Sequence, residues 1–119
     1  MFSNLDIMHT TRSVLYSMGI SEPSPIQEKS IPVLQKGRDL IGQAETGSGK
    51  TLAFAIPMIK KCDPKLSAVQ AIILVPTRGL AIQVHSVVKP LAERRDLRVT
   101  LLYGGHSMVS ERKNLERGT

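Results

Sequence analysis

Eight consecutive residues constrain this chain more than any others: Ala44-Glu45-Thr46-Gly47-Ser48-Gly49-Lys50-Thr51. They read A-x-x-G-x-G-K-T, a Walker A loop with alanine where the opening glycine usually stands. Residues 38–42 before it include a short apolar run and read as a strand. After it, positions 52, 55, 56 and 59 are apolar and fall on one helical face. Strand, glycine-rich turn and helix form the setting in which such a loop cradles phosphate. Gly47 and Gly49 let backbone N–H groups turn inward, and the helix N-terminus adds partial positive charge. Lys50 is placed to reach β- and γ-phosphates, and the Thr51 hydroxyl to hold Mg²⁺. Ala44, Thr46, Gly47, Ser48 and Gly49 complete the candidate nucleotide contacts. The bland alternative is a glycine-rich turn beside a lysine, and the flanking elements argue against it.

Elsewhere the chain alternates between helical and strand signals. Residues 6–18 read as a helix, with Ile7, Thr11, Val14, Leu15 and Met18 on one face and Gly19 as its stop. Phe2 stands before it, outside the periodic pattern. Two prolines then interrupt the chain at Pro23 and Pro25. Ser24 is a candidate N-cap, with Pro25 at the first helical position and Gln27 three residues on, the spacing of a capping box. That helix runs through Ile26, Ile31 and Leu34 to about Lys36, with a bend expected at Pro32. The helix after the phosphate loop ends near Cys62, because Asp63-Pro64 breaks it. Residues 71–75 are continuously apolar and read as a strand buried on both faces. Pro76-Thr77-Arg78-Gly79-Leu80 follows, with Thr77 as a cap and Leu80, Val84, Val87, Val88 and Leu91 on one helical face. Arg78 then sits at the helix end that disfavours a cation, a placement that a functional contact would explain. Residues 98–103 read as a third strand, Gly104-Gly105 ends it, and Ser107 caps a last helix through Met108, Arg112 and Leu115. The alternation predicts an α/β architecture with a parallel sheet flanked by helices.

Composition narrows the partners. Sixteen basic residues against ten acidic ones leave a net charge of +6, which favours a polyanion such as nucleic acid. A single cysteine, Cys62, excludes an internal disulfide, and His9, His85 and His106 are too scattered to suggest a metal site. No secretory signal or membrane-length apolar run is present, so a soluble cytoplasmic protein is expected.

Four of these stretches, in this order, resemble motifs of the DEAD-box RNA helicases. Residues 19–27, Gly19-Ile20-Ser21-Glu22-Pro23-Ser24-Pro25-Ile26-Gln27, resemble the Q motif. Residues 44–51 resemble motif I, residues 76–80 motif Ia, and Gly104-Gly105 the GG motif. Phe2 stands where the family carries an isolated aromatic upstream of the Q motif. The resemblance covers essentially all of residues 1–119, as the first part of an N-terminal RecA-like domain with a P-loop. It implies that Gln27 reads the adenine edge while Phe2 stacks on the ring, with Ile20 beside them. An amide can pair with adenine N6 and N7, so that chemistry fits. It also implies that Pro76, Thr77, Arg78, Gly104 and Gly105 contact RNA sugar-phosphate without reading sequence. ATP and Mg²⁺ are the cofactors it implies.

Departures from the family pattern matter too. Gly79 replaces the usual glutamate of P-T-R-E-L, and Glu111 stands where glutamine often follows the GG motif. No D-E-A-D, S-A-T or T-P-G-R sequence is present. The chain therefore reads as a fragment of an ATP-dependent RNA helicase that unwinds short duplexes, itself not competent for catalysis. Binding adenine nucleotide weakly without turnover and associating through an incomplete sheet are the corresponding expectations. Two other readings stay open: a stand-alone nucleotide-binding or interaction module, and a fragment of a related superfamily 2 DNA helicase.

Overall fold

The computed structural model describes residues 2–104 and 108–119. Its elements are a 3₁₀ turn at Phe2–Asn4 and five helices: α1 His9–Ser17, α2 Pro25–Gln35, α3 Lys50–Lys61, α4 Arg78–Glu93 and α5 Met108–Glu116. The chain divides into two compact units, Met1–Lys61 and Cys62–Thr119. Ser107, the expected cap of α5, lies outside the described residues.

In the first unit, the apolar stripe of α3 decides the packing. Leu52, Ala55, Ile56 and Ile59 repeat at helical spacing and all are buried. Each fully buried leucine or isoleucine contributes about 1.5–3 kcal/mol relative to exposure. Helix α2 packs on α3 and contributes Ile31 and Gln27 to the interior. Leu15 and Thr11 of α1, with Phe2 and Ile7, add to it. Glycines with positive φ, Gly19 and Gly37, follow α1 and α2, as expected of helix stops. Helix α2 continues through Pro32, and α3 through Pro57. The segment before α1 is tied to the far ends of α2 and α3. Gln35 Nε2 donates to the Asp6 carbonyl at 2.6 Å, and Lys60 Nζ reaches the Asp6 carboxylate at 2.6 Å and its carbonyl at 3.2 Å.

The second unit is built on α4, whose Val84, Val88, Leu91 and Ala92 are buried. The helix ends with Asp96 in the left-handed region at φ 57°, while Leu97 N–H donates back to the Ala92 carbonyl at 3.0 Å. Arg95 Nη2 donates to the Cys62 carbonyl at 2.9 Å. Helix α5 buries none of its residues.

The expected parallel sheet is not seen among the described residues. Residues 38–42, 71–75 and 98–103 carry no assigned helix or strand. Ile41 is 99% exposed and Leu74 89% exposed. The physical reason is that an apolar extended run specifies only a capacity for pairing. The ladder requires a partner backbone about 4.7–4.9 Å away, and no local pattern supplies it. Helices close their hydrogen bonds within the segment, and packing of an apolar face such as that of α3 holds them.

Candidate nucleotide and nucleic-acid sites

The phosphate loop occupies residues 44–49 and leads directly into α3, which begins at Lys50. Ser48 N–H donates to the Glu45 carbonyl at 3.1 Å, closing a turn around Thr46 and Gly47. Gly47 at φ +83° and Gly49 at φ +90° hold conformations that side-chain-bearing residues rarely adopt. Lys50 Nζ donates to the Ala44 carbonyl at 2.5 Å, so the lysine reaches back across the whole loop to its first residue. No acidic residue stands in the first turn of α3, and the dipole there is not neutralised by a carboxylate of that turn.

The start of α2 backs onto this loop. Gln27 is 3% exposed, and both ends of its amide are engaged. Its Oε1 accepts from Ser24 N–H at 2.9 Å, the Gln27 half of the expected capping box. Its Nε2 donates to the Gly49 carbonyl at 3.1 Å. A Cβ on Gly49 would run into that amide and come 3.0 Å from Ser24 Oγ, so glycine is what permits the approach. One on Gly42 would lie 3.7 Å from Ile26 Cδ1. One side chain therefore both caps α2 and latches the phosphate loop.

The buried Ser48 Oγ at this junction has no hydrogen-bond partner. A buried polar atom without a partner costs about 1–3 kcal/mol, so this is a group that an acceptor-rich ligand would satisfy. With the turned-in glycines, the lysine and the helix N-terminus, the residues present fit a polyphosphate. Thr51, the candidate Mg²⁺ ligand, is half-buried in the first turn of α3. Among the described residues no group of three His, Cys, Asp or Glu side chains is placed to hold a metal. Phe2 is 4% exposed, so its ring must become accessible before it can stack on a base. Ile20 is half-buried just past α1, its N–H donating to the Leu15 carbonyl at 2.9 Å.

The second group of candidate residues lies in the Cys62–Thr119 unit. Thr77 is the N-cap of α4, its Oγ1 accepting from Leu80 N–H at 3.2 Å. Pro76 and Arg78 flank it and are exposed. The Arg78 guanidinium lies 5.5 Å from the centre of the Tyr103 ring. Tyr103 precedes Gly104, which is exposed, and its N–H donates to Glu111 Oε1 of α5 at 3.2 Å. Arg78 thus lies over the ring of the residue before Gly104, a tyrosine that the motif pattern did not single out. Its aromatic character next to the glycines was the available signal. Gly105 lies outside the described residues. Gly79, in the first turn of α4, has open space where a side chain would stand.

Comparison with known proteins places these features in context. Residues 24–119 match the family model described as DEAD/DEAH box helicase. The chain is 49% identical over 100 residues to the ATP-dependent RNA helicase CshA of Listeria monocytogenes, covering 84% of this chain and 19% of that protein. It is 40% identical over 118 residues to the ATP-dependent RNA helicase DeaD of Escherichia coli, covering 98% and 19% respectively. The chain therefore spans about a fifth of the length of these relatives. Its backbone matches the crystal structure of a DEAD box protein from the hyperthermophile Methanococcus jannaschii with a TM-score of 0.85 and 34% identity. That match covers 96% of this chain and 31% of the other. The structure of the RNA helicase Prp28 from Chaetomium thermophilum bound to ADP matches at a TM-score of 0.83 with 37% identity, covering 94% and 28%.

Proposed function

Because the chain belongs to the DEAD/DEAH box helicase family, we propose that residues 1–119 are the adenine-nucleotide-binding first part of a RecA-like domain of an ATP-dependent RNA helicase. The observation that carries this reading is the Gln27 amide, which joins the start of α2 to the phosphate loop at Gly49. A generic phosphate loop has no need of that glutamine. In this reading Phe2 and Ile20 border the base, and the Gln27 amide, bonded in the structure to Ser24 N–H and the Gly49 carbonyl, exchanges one of those bonds to read its edge. Ala44, Thr46, Gly47, Ser48 and Gly49 line the phosphates, and Lys50 offsets their charge. The Thr51 hydroxyl would hold Mg²⁺, which supplies charge neutralisation on phosphate oxygens when bound; other oxygens would come from the nucleotide and water.

Pro76, Thr77, Arg78, Gly104 and Gly105 form the proposed track for RNA sugar-phosphate. Exposed backbone and a cation suit that contact, which carries no base specificity. The whole protein hydrolyses ATP and separates short RNA duplexes. Residues 1–119 contain no D-E-A-D motif to orient water, and we expect them alone to bind adenine nucleotide weakly without turnover. Phosphate release by the purified chain, stimulated by RNA, would overturn that statement. Competition between RNA and DNA oligonucleotides for the whole protein separates an RNA helicase from a related DNA helicase.

Calorimetric titration with ADP and GDP, with and without Mg²⁺, tests the nucleotide site. Preference for ADP that is lost in Gln27→Ala or Phe2→Ala, with the fold retained, supports it. Equal binding of both nucleotides leaves a phosphate loop alone and returns Gln27 to a helix cap.

A second reading, of association between copies, is favoured by the exposed apolar runs around Ile41, Ile72 and Leu74. Unpaired extended backbone with apolar side chains is a template for pairing. Sedimentation showing a sharp monomer across concentration would rule it out. No helix among the described residues is long and apolar enough to cross a membrane.

A further inference from the structure

We propose that Tyr103 is a positioning residue for Arg78, and that the two act as one unit against the sugar-phosphate backbone. This inference rests on the RNA reading given above. Arg78 is the first residue of α4, and its long exposed side chain has much rotamer freedom to lose before it can hold one position. The helix dipole repels a cation there rather than fixing it. What faces the guanidinium is the Tyr103 ring, with its centre 5.5 Å from the guanidinium carbon. A guanidinium over an aromatic face keeps its N–H edge available for phosphate, because the contact uses the flat side of the group.

Tyr103 is itself held. Its N–H donates to Glu111 Oε1 at 3.2 Å, tying this segment to α5 immediately before Gly104. One residue thus carries both the platform for Arg78 and the backbone orientation entering Gly104. Neither position alone would give that coupling: without the ring Arg78 is a mobile charge, and without Arg78 the ring brings no cation to a phosphate. Lysine at position 78 would keep the charge and lose the planar edge, so Arg78→Lys is not conservative here.

The test uses the 119-residue chain and a fluorescein-labelled single-stranded oligouridylate, read by anisotropy over a range of KCl concentrations. Arg78→Ala should weaken binding and flatten the salt dependence by about one counterion. Tyr103→Leu should weaken binding roughly threefold, and Tyr103→Phe, which keeps the ring, should restore it. In the Arg78→Ala background, Tyr103→Leu should change nothing further. The chain has no tryptophan and two tyrosines, so in a Tyr16→Phe background the emission reports Tyr103 alone. Unlabelled RNA should alter that emission, and Arg78→Ala should abolish the response. This optical readout decides the matter even where Tyr103→Leu unfolds the chain.

Absence of RNA binding by the unmodified chain would overturn the RNA reading and this proposal with it. Binding that falls with Arg78→Ala but is unchanged by Tyr103→Leu would leave the RNA reading standing and sink the positioning role. Equal losses with Tyr103→Leu and Tyr103→Phe, or an emission response that survives Arg78→Ala, would likewise sink the positioning role alone.

Discussion

Gln27 Nε2 donates to the carbonyl of Gly49, 22 residues further along the chain, at 3.1 Å. The other end of the same amide accepts from Ser24 N–H at 2.9 Å. A helix cap and a loop latch are therefore one group, and substitutions can separate the two roles. Gln27→Glu keeps an acceptor for Ser24 and puts a carboxylate oxygen against the Gly49 carbonyl. Gln27→Ala removes both bonds and leaves Ser24 N–H and the Gly49 carbonyl without that partner. We expect Gln27→Ala to cost about 1–2 kcal/mol in urea denaturation. Gln27→Glu should retain the capping part yet weaken ADP binding as much as alanine does. Equal stability of the glutamate variant and the parent, with ADP affinity intact, would show that the latch contributes nothing.

Gly49 should tolerate no side chain. Its φ of +90° lies outside what L-residues adopt comfortably, and an added Cβ would meet the Gln27 amide. Gly49→Ala is expected to lose about 1–3 kcal/mol of stability and to push α2 away from the loop. Gly47, at φ +83° with open space around it, carries only the backbone part of that cost. Melting temperatures should fall further for Gly49→Ala than for Gly47→Ala, and the reverse order would mean the contact with Gln27 is slack.

Gly79 is a different case. A side chain there meets nothing within 4 Å, and the residue sits in the first turn of α4 with no acid to complement the dipole. Gly79→Glu should therefore stabilise the chain by about 0.5–1.5 kcal/mol, from helix propensity and charge together. Gly79→Ala should supply the larger, salt-insensitive share. A thermal melt at low and high salt distinguishes the two contributions; destabilisation by either substitution would count against the open geometry.

Cys62 should react sluggishly. Burial pushes its thiol above the ordinary range, and the nearby Arg95 cation only partly opposes this. A raised value leaves less thiolate at mildly alkaline pH, and thiolate is the reactive form. Ellman's reagent should modify the folded chain several times more slowly than the same chain in guanidinium. A folded-state rate equal to the unfolded one would show that Arg95 prevails.

What the sequence made legible follows from how far each interaction reaches. Leu52, Ala55, Ile56 and Ile59 announced a buried helical face because their spacing is local, and all four are buried. Thr77 was readable as a cap for the same reason, its partner Leu80 being three residues away. Gln27 showed its capping role in the spacing from Ser24, whereas its bond to Gly49 depends on two elements meeting in space. Tyr103 over Arg78 was equally out of reach, since no periodicity links those positions. The runs at 38–42, 71–75 and 98–103 read as strands from composition. Composition does not provide the neighbouring backbone, and Ile41 and Leu74 stand exposed accordingly.

The same difference in reach sets an order of events for a chain emerging from the ribosome. The backbone bonds of helices α1 to α4 span only a few residues, so these helices need no distant strand, only packing of their apolar faces within each unit. Residues 71–75 can pair only with backbone remote in sequence, and in the structure they display Ile72 and Leu74. While it lacks such a partner, this segment is where the chain is most exposed to mispairing and where a chaperone has something to hold.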